Sequence, residues 1–415
     1  MADIGGLSEA ARDDLAELYR DLHRNPEPPF GEVRTAGIVA TRLRRAGFEV
    51  ATGIGGTGVA GVLRSGEGPT VLLRADMDAL PLAERTGLPY AGTATVDDAH
   101  GERTPLMHAC GHDMHVACLI GAADLLAAGR DHWRGTVLAV FQPAEEIAAG
   151  ARAMLEDGLY ERFGAPDVAL GQHVFPYPAG TLLHCPGQVL GATETLEVRL
   201  HGKGAHGSQP ERGIDPVVLA AAVVMRLQTI VSREVAPAER AVVTVARLRA
   251  GHAENTIPDE ATMTLNIRAF SPDVMRAVLA AVERVVRAEA AASGAPRPPE
   301  LRTLSSFPAT YNDPVATERL VEAFTGRFGA GRVGDLAPMM GSEDFGLFGS
   351  AADVPSVFWG LGAADPDRPA DGEVPGNHSP LFAPVIEPTL STGVEALVTA
   401  ARTFLRTPPD GAARS

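Results

Sequence analysis

Apolar residues recur along this chain with two periods, and the change of period marks its elements. Residues 9–24 place Leu15, Leu18, Tyr19 and Leu22 on one helical face. Residues 34–46 repeat that spacing and stop before Gly47, a residue able to take the left-handed conformation that closes a helix. Short apolar runs follow: GVAGVLR (58–64), TVLLRAD (70–76), GTVLAVF (135–141), DVALGQH (167–173) and SVFWG (356–360). Helical stretches such as 113–128 and 149–157 lie between them. Apolar strands alternating with helices predict an α/β fold, a mostly parallel sheet with helices on both faces. Such sheets carry their chemistry at the C-terminal ends of the strands.

From about 188 to 303 the pattern alternates. TETLEVRLHG, AVVTVARLRAG, ATMTLNIRAF and ELRTLSS have strand character. Asp215-Pro216 and Ser271-Pro272 each offer a capping side chain followed by proline at the first helical position. The order βαββαβ is the ferredoxin-like split motif. The expected organisation is therefore a first part of an α/β domain over 1–187, an inserted domain over 188–303, and the rest of the α/β domain over 304–415. That last part opens with a helix between Asp313-Pro314 and Gly329, and its tail from Thr407 is expected to fray.

A chain of 415 residues favours two domains over one core. Its net charge of -16 argues against nucleic acid or an anionic membrane as partner, since both need clustered cations. A few local arginines can still reverse the field within a pocket; Lys203 is the sole lysine. Cys110, Cys118 and Cys185 cannot form a disulfide framework, so a reducing cytoplasm is expected. The N-terminal segment lacks a basic-then-apolar signal pattern. The longest apolar run, from Ala117, is interrupted by Asp124, so no membrane association is expected.

MHACGHDMHVA (107–117) concentrates His108, Cys110, His112, Asp113 and His115 just before a helix. A Cys-x-His pair can aim two ligands at one locus, with Gly111 allowing a tight turn between them. A lone histidine there would read as a polar helix start; this density of ligand types reads as a metal site. His115 and Cys118 are taken as structural. Glu145 and Glu146 follow the strand 135–141, and near-extended neighbours point to opposite sides. One carboxylate can then bind metal while the other serves as general base. His173 ends DVALGQH on the same rim, to which Asp76 and Asp78 add acid; Asp78 is placed to orient a ligand histidine. His378 lies in a loop after a Gly/Pro-rich stretch.

LLRADMDALP, MHACGHDMHVA, FQPAEE, GQHVFP, GKGAHGSQPERGIDPVV, ENTIPDEATMTLNIR and MGSEDFG together resemble the M20 metallopeptidases. They look most like the amidohydrolase subgroup of aminoacylases, hippurate hydrolases and auxin-conjugate hydrolases. The resemblance runs from about residue 14 to 404. It implies two divalent transition-metal ions (Zn, Mn, Co or Ni) held by Cys110, His112, Glu146, His173 and His378, with Glu145 as general base. It also implies that the inserted domain is a lid and a dimerisation surface, making a homodimer or higher homo-oligomer. There His206 would polarise the scissile carbonyl, and Asn255 and Arg268 would bind the substrate's carboxylate. Without the resemblance, Arg268 reads as a surface strand arginine and Asn255 as a turn former. Three positions depart from the family pattern: Asp76 replaces a histidine of the wider family, Ile147 a common glycine, and Glu211 a frequent histidine. They bear on substrate choice rather than on the reaction.

The function implied is hydrolysis of the amide bond of small N-acyl amino acids. A dipeptidase or carboxypeptidase of the same family is the nearest alternative. A cysteine amidase built on Cys110 would leave Glu145, Glu146 and His173 without a task. A catalytically dead binding protein would have no need of Glu145.

Overall fold

The computed structural model describes residues 6–97, 101–365, 367 and 374–407. Most of the tail expected to fray lies outside these residues. By compactness the chain divides into two units. One comprises 1–189, 311–337 and 344–415; the other comprises 190–310 and a short second segment, Pro338–Glu343, beyond the expected insertion.

The first unit is built on an eight-stranded sheet. Its centre is parallel: Thr70–Asp76 lies between Gly135–Gln142 and Val168–Pro178, and Ser356–Ala364 follows beside the last of these. Gly58–Ser65 and Glu49–Ile54 extend one edge in antiparallel fashion. Every anticipated apolar run is a strand here; Glu49–Ile54, with half its positions exposed, was not anticipated. Helices Glu9–Arg24, His112–Ala128 and Thr389–Phe404 bury Leu15, Tyr19, Met114, Leu119, Val394 and Leu397 in the core on the sheet. The helix after Gly111 is buried almost all round. Gly111 has φ +81, and a Cβ there would sit 2.4 Å from Val174 Cγ2, so only glycine fits.

In the second unit the four strands Ala192–His201, Ala241–Ala250, Glu260–Ala269 and Glu300–Phe307 form one antiparallel sheet. Numbered in chain order they lie 2-3-1-4, the split βαββαβ arrangement. Helices Pro216–Arg233 and Pro272–Ala292 cover one face. Both start as the sequence predicts: Val217 N donates to Asp215 Oδ1 at 2.8 Å, and Asp273 N to Ser271 Oγ at 3.2 Å. Pro216–Arg233 is, among the described residues, the one helix long and apolar enough to cross a membrane. Its Leu219, Val223, Leu227 and Ile230 are instead buried in this unit's own core with Leu196, Met263 and Leu265.

Candidate metal centre

The parallel strands deliver the first unit's functional groups to one rim. Thr70–Asp76 ends at Asp76, with Asp78 two residues on. Gly135–Gln142 leads into the turn that carries Glu145 and Glu146. His173 does not end its strand, contrary to the sequence expectation. The strand runs on to Pro178 because pairing with Ser356–Ala364 continues past His173↔Gly360. Glu145 and Glu146 are also not splayed to opposite sides. Ala148 N donates to Glu145 O at 2.8 Å, which closes a turn, and both carboxylates approach His112 Nε2, at 3.9 and 3.8 Å.

That turn is held by acids. Glu32 Oε1 accepts from Ala144 N at 2.9 Å, and the two oxygens of Asp78 accept from Glu145 N and Glu146 N at 3.1 and 3.0 Å. Asp78 Oδ1 also stands 3.3 Å from His112 Nδ1. Ala144 and Ala148 have φ of 50° and 58°, a left-handed strain that the turn sustains because these bonds fix it. Asp78 thus lies beside the histidine that the sequence expects it to orient, at ion-pair distance. Glu32 had no sequence signal beyond being an acid at the start of an amphipathic helix.

The remaining expected ligands join the same cluster. Cys110 Sγ lies 3.4 Å from His173 Nε2, and His378 Nε2 lies 3.4 Å from Glu146 Oε2. His173 Nδ1 donates to Val174 O at 2.8 Å, so its Nε2 lone pair faces the thiol. His378 has a left-handed backbone (φ 68) fixed by His378 N donating to Ala109 O at 2.8 Å. Donor atoms of Cys110, Glu146 and His378 lie within 4.8 Å of one another; so do those of His112, Glu145 and Glu146, and those of Asp76, His112, His115 and His173.

The electrostatics favour a cation. Burial opposes a charged His112, but Asp76, Asp78 and Cys110 outweigh it and raise its pKa well above the ordinary value. Hydrogen bonds to Cys110 and Glu146 raise His378 to about 10. Burial also opposes a charged Glu146, yet His378 and His112 hold its pKa below the usual carboxylate range. Both ring nitrogens of His112, together with Glu146 Oε1, are buried without a hydrogen-bond partner, a state proteins rarely leave unmet. Thiol, imidazole and carboxylate donors converging on such unmet positions fit divalent metal ions.

The second unit's expected residues stand apart from each other in two groups. His206 pairs with Thr256, and Gly207 N donates to Asn255 O at 2.7 Å, so His206 and Asn255 share one exposed tip. Ser208 N donates to His206 Nδ1 at 3.2 Å, which leaves Nε2 as the protonated nitrogen. Arg268 lies eight residues beyond Glu260 along Glu260–Ala269. At ~3.4 Å per residue this is roughly 27 Å of strand between Arg268 and Glu260, the end nearer the tip. Its Nε donates to Asn266 Oδ1 at 2.8 Å and its Nη1 to Met340 O.

The chain belongs to the peptidase family M20/M25/M40, whose model matches residues 72–403. It is 36% identical over 340 residues to a hippurate hydrolase of Campylobacter jejuni, covering 81% of this chain and 85% of that protein. It is also 36% identical over 356 residues to an N-acetylcysteine deacetylase of Bacillus subtilis, with 84% and 88% covered. Among solved structures it superposes on a dinuclear metal-binding peptidase of family M20 from Bacillus subtilis with a TM-score of 0.75 at 32% identity, covering 95% and 99% of the two chains. The protein is a hydrolase of that family, acting on carbon–nitrogen bonds.

Proposed function

We infer that this enzyme hydrolyses the amide bond of N-acyl amino acids, with Cys110, His112, Glu146, His173 and His378 holding two divalent transition-metal ions (Zn, Mn, Co or Ni). The observation that carries the reading is Glu145: a carboxylate held by its own backbone 3.9 Å from a His112 whose ring nitrogens lack partners. The two relatives named for hippurate and N-acetylcysteine support the substrate class. When bound, the ions would supply the Lewis acidity that makes water a nucleophile at neutral pH and polarises the acyl carbonyl.

The chain's own residues do the rest. Glu145 takes the proton of the attacking water and returns it to the leaving amine nitrogen. His206, protonated on Nε2, donates to the acyl oxygen as negative charge gathers there. Arg268 receives the substrate carboxylate; among the described residues its Nη2 has no protein partner. Because Arg268 stands near one end of a strand and His206 and Asn255 beyond the other, roughly 27 Å of strand between, the two groups meet one substrate across a homodimer. The segment 188–303 is then both lid and dimerisation domain between the catalytic parts 1–187 and 304–415. A reducing cytoplasm suits an enzyme that needs Cys110 as a free thiol.

The test is a substrate and metal screen. N-acetyl and N-benzoyl amino acids should turn over after loading with at least one of Zn, Mn, Co or Ni. Turnover of dipeptides with none of the N-acyl compounds would replace this reading by a dipeptidase or carboxypeptidase.

A further inference from the structure

The strands Thr70–Asp76 and Val168–Pro178 pair only as far as Arg74↔Gly171. Beyond that point they part, and the backbone of the longer strand loses its neighbour on that side just before His173. Buried peptide groups need partners, and the gap is filled by a side chain. Val174 N donates to His115 Nε2 at 2.9 Å, so this nitrogen is the acceptor and the ring proton is on Nδ1. Nδ1 meets Asp76 Oδ1 at 2.5 Å. Asp76 Oδ2 in turn accepts from Arg74 Nη1 at 2.6 Å. Arg74 Nε donates to Gln142 Oε1 at 2.8 Å. Arg74, Asp76 and His115 are each no more than 1% exposed.

By distance alone Asp76, His112, His115 and His173 make a plausible cation site. The bonding says otherwise. Both nitrogens of His115 are engaged, and each oxygen of Asp76 already faces a proton donor. An ion there would have to break the Val174 bond and leave Arg74, a buried cation, beside it. Two positive charges side by side in a low-dielectric interior repel strongly.

We propose that His115 is a positioning residue for His173, forming with Asp76 and Arg74 a fixed polar post that aims the His173 ring, and that this quartet holds no ion of its own. The peptide between His173 and Val174 is fixed through its N–H by His115. The next carbonyl, Val174 O, is held by His173 Nδ1 and by Asn377 Nδ2 at 3.0 Å. With the peptides on both sides of Val174 pinned and Nδ1 bonded to Val174 O, His173 Nε2 faces Cys110 Sγ at 3.4 Å. The proposal rests on the reading that His173 is a metal ligand.

The experiment measures ions bound per full-length chain by elemental analysis, and the affinity of each ion by chelator competition with Zn and with Co. The Co absorption spectrum reports ligand geometry. His173→Ala is the reference and should bind one ion fewer than wild type. If it keeps the full complement, the ligand reading fails, whatever His115 does. His115→Ala should keep wild-type stoichiometry at saturation, with one ion held about 10- to 100-fold more weakly and the other unchanged. His115→Asn can still face Asp76 but cannot reach Val174 N, and should behave as Ala does; it carries the test if the alanine variant does not fold. His115→Gln can still accept from Val174 N and should recover most of the lost affinity. Wild-type affinity for both ions in the Ala and Asn variants overturns the proposal. So does loss of one ion outright at saturation, because that is the signature of a ligand.

Discussion

The two largest sheets among the described residues are built on opposite plans. In Thr70–Asp76 six of seven positions are buried, whereas Glu260–Ala269 alternates buried and half-buried positions along its length. The first plan puts polar groups where no water reaches them, so each must find a partner, and the partners fix it. Arg74, Asp76 and His115 are all of this kind, whereas His112 keeps both ring nitrogens without a hydrogen bond. The second plan leaves one face free, and in the same unit a separate two-stranded ribbon carries His206 and Asn255 exposed at its tip. The parallel sheet presets chemistry; the antiparallel one presents recognition groups that become useful only when something is brought to them.

The sharpest way to break this contrast is to remove the ions. Dialysis against a strong chelator should reduce amide hydrolysis to the uncatalysed background, and adding Zn, Mn, Co or Ni should restore it. Activity that survives complete removal, checked by elemental analysis, would leave the buried cluster without its proposed purpose. Next in size is Glu145→Gln, which should retain the metals and lose ~10²–10⁴ in kcat. Near-normal turnover in a metal-loaded variant would reassign the base.

Substitutions on the open unit should cost less. His206→Ala removes one donor to the developing oxyanion, with an expected loss of ~10²–10³ in kcat and little change in ion content. Arg268→Lys should lower kcat/KM about 10- to 100-fold for a substrate with a free carboxylate, as expected for a charged hydrogen bond of ~1.5–3 kcal/mol. The amide of the same substrate should lose much less. Equal losses on both would make Arg268 a support of its own sheet.

The smallest effect on turnover is expected at His23, where the buried unit offers a stability test instead. His23 Nδ1 lies 2.6 Å from Asp113 Oδ2 and Nε2 lies 3.2 Å from Glu84 Oε1. Burial opposes its charge, but Asp113 and Glu84 outweigh burial and raise its pKa from 6.5 to about 10. A raised histidine stabilises the fold fully below pH 6.5, and that contribution disappears as pH climbs through 10. Thermal unfolding should therefore move to lower temperature across that interval, and His23→Gln should flatten the dependence.

Much of this was legible in the chain because it is local. Asp215-Pro216, Ser271-Pro272 and Asp313-Pro314 all open helices, since a cap and a proline act within four residues. CGHD was readable for the same reason: a turn at Gly111 and two ligand types need only neighbours. What escaped is long-range. Arg74 is a conspicuous charge in an apolar strand, yet its acceptors Gln142 and Asp344 lie 68 and 270 residues away. No periodicity predicts such partners. The turn at Glu145 is not legible in the sequence because Ala144 and Ala148 take left-handed φ values that Glu32 and Asp78, distant in sequence, make tolerable. Pro338–Glu343 belongs with 190–310 through contacts such as Arg268 to Met340.

The reach of Arg74 ties two distant stretches of the chain together. Its guanidinium lies inside the central sheet, where Asp344 Oδ1 accepts from Nη2 at 3.4 Å and from Gln142 Nε2 at 2.6 Å. Without that carboxylate the strands Thr70–Asp76 and Gly135–Gln142 would enclose a positive charge short of one acceptor. These are the strands that lead to Asp76, Glu145 and Glu146, so the aim of the acids at the rim is underwritten by a residue far along the chain.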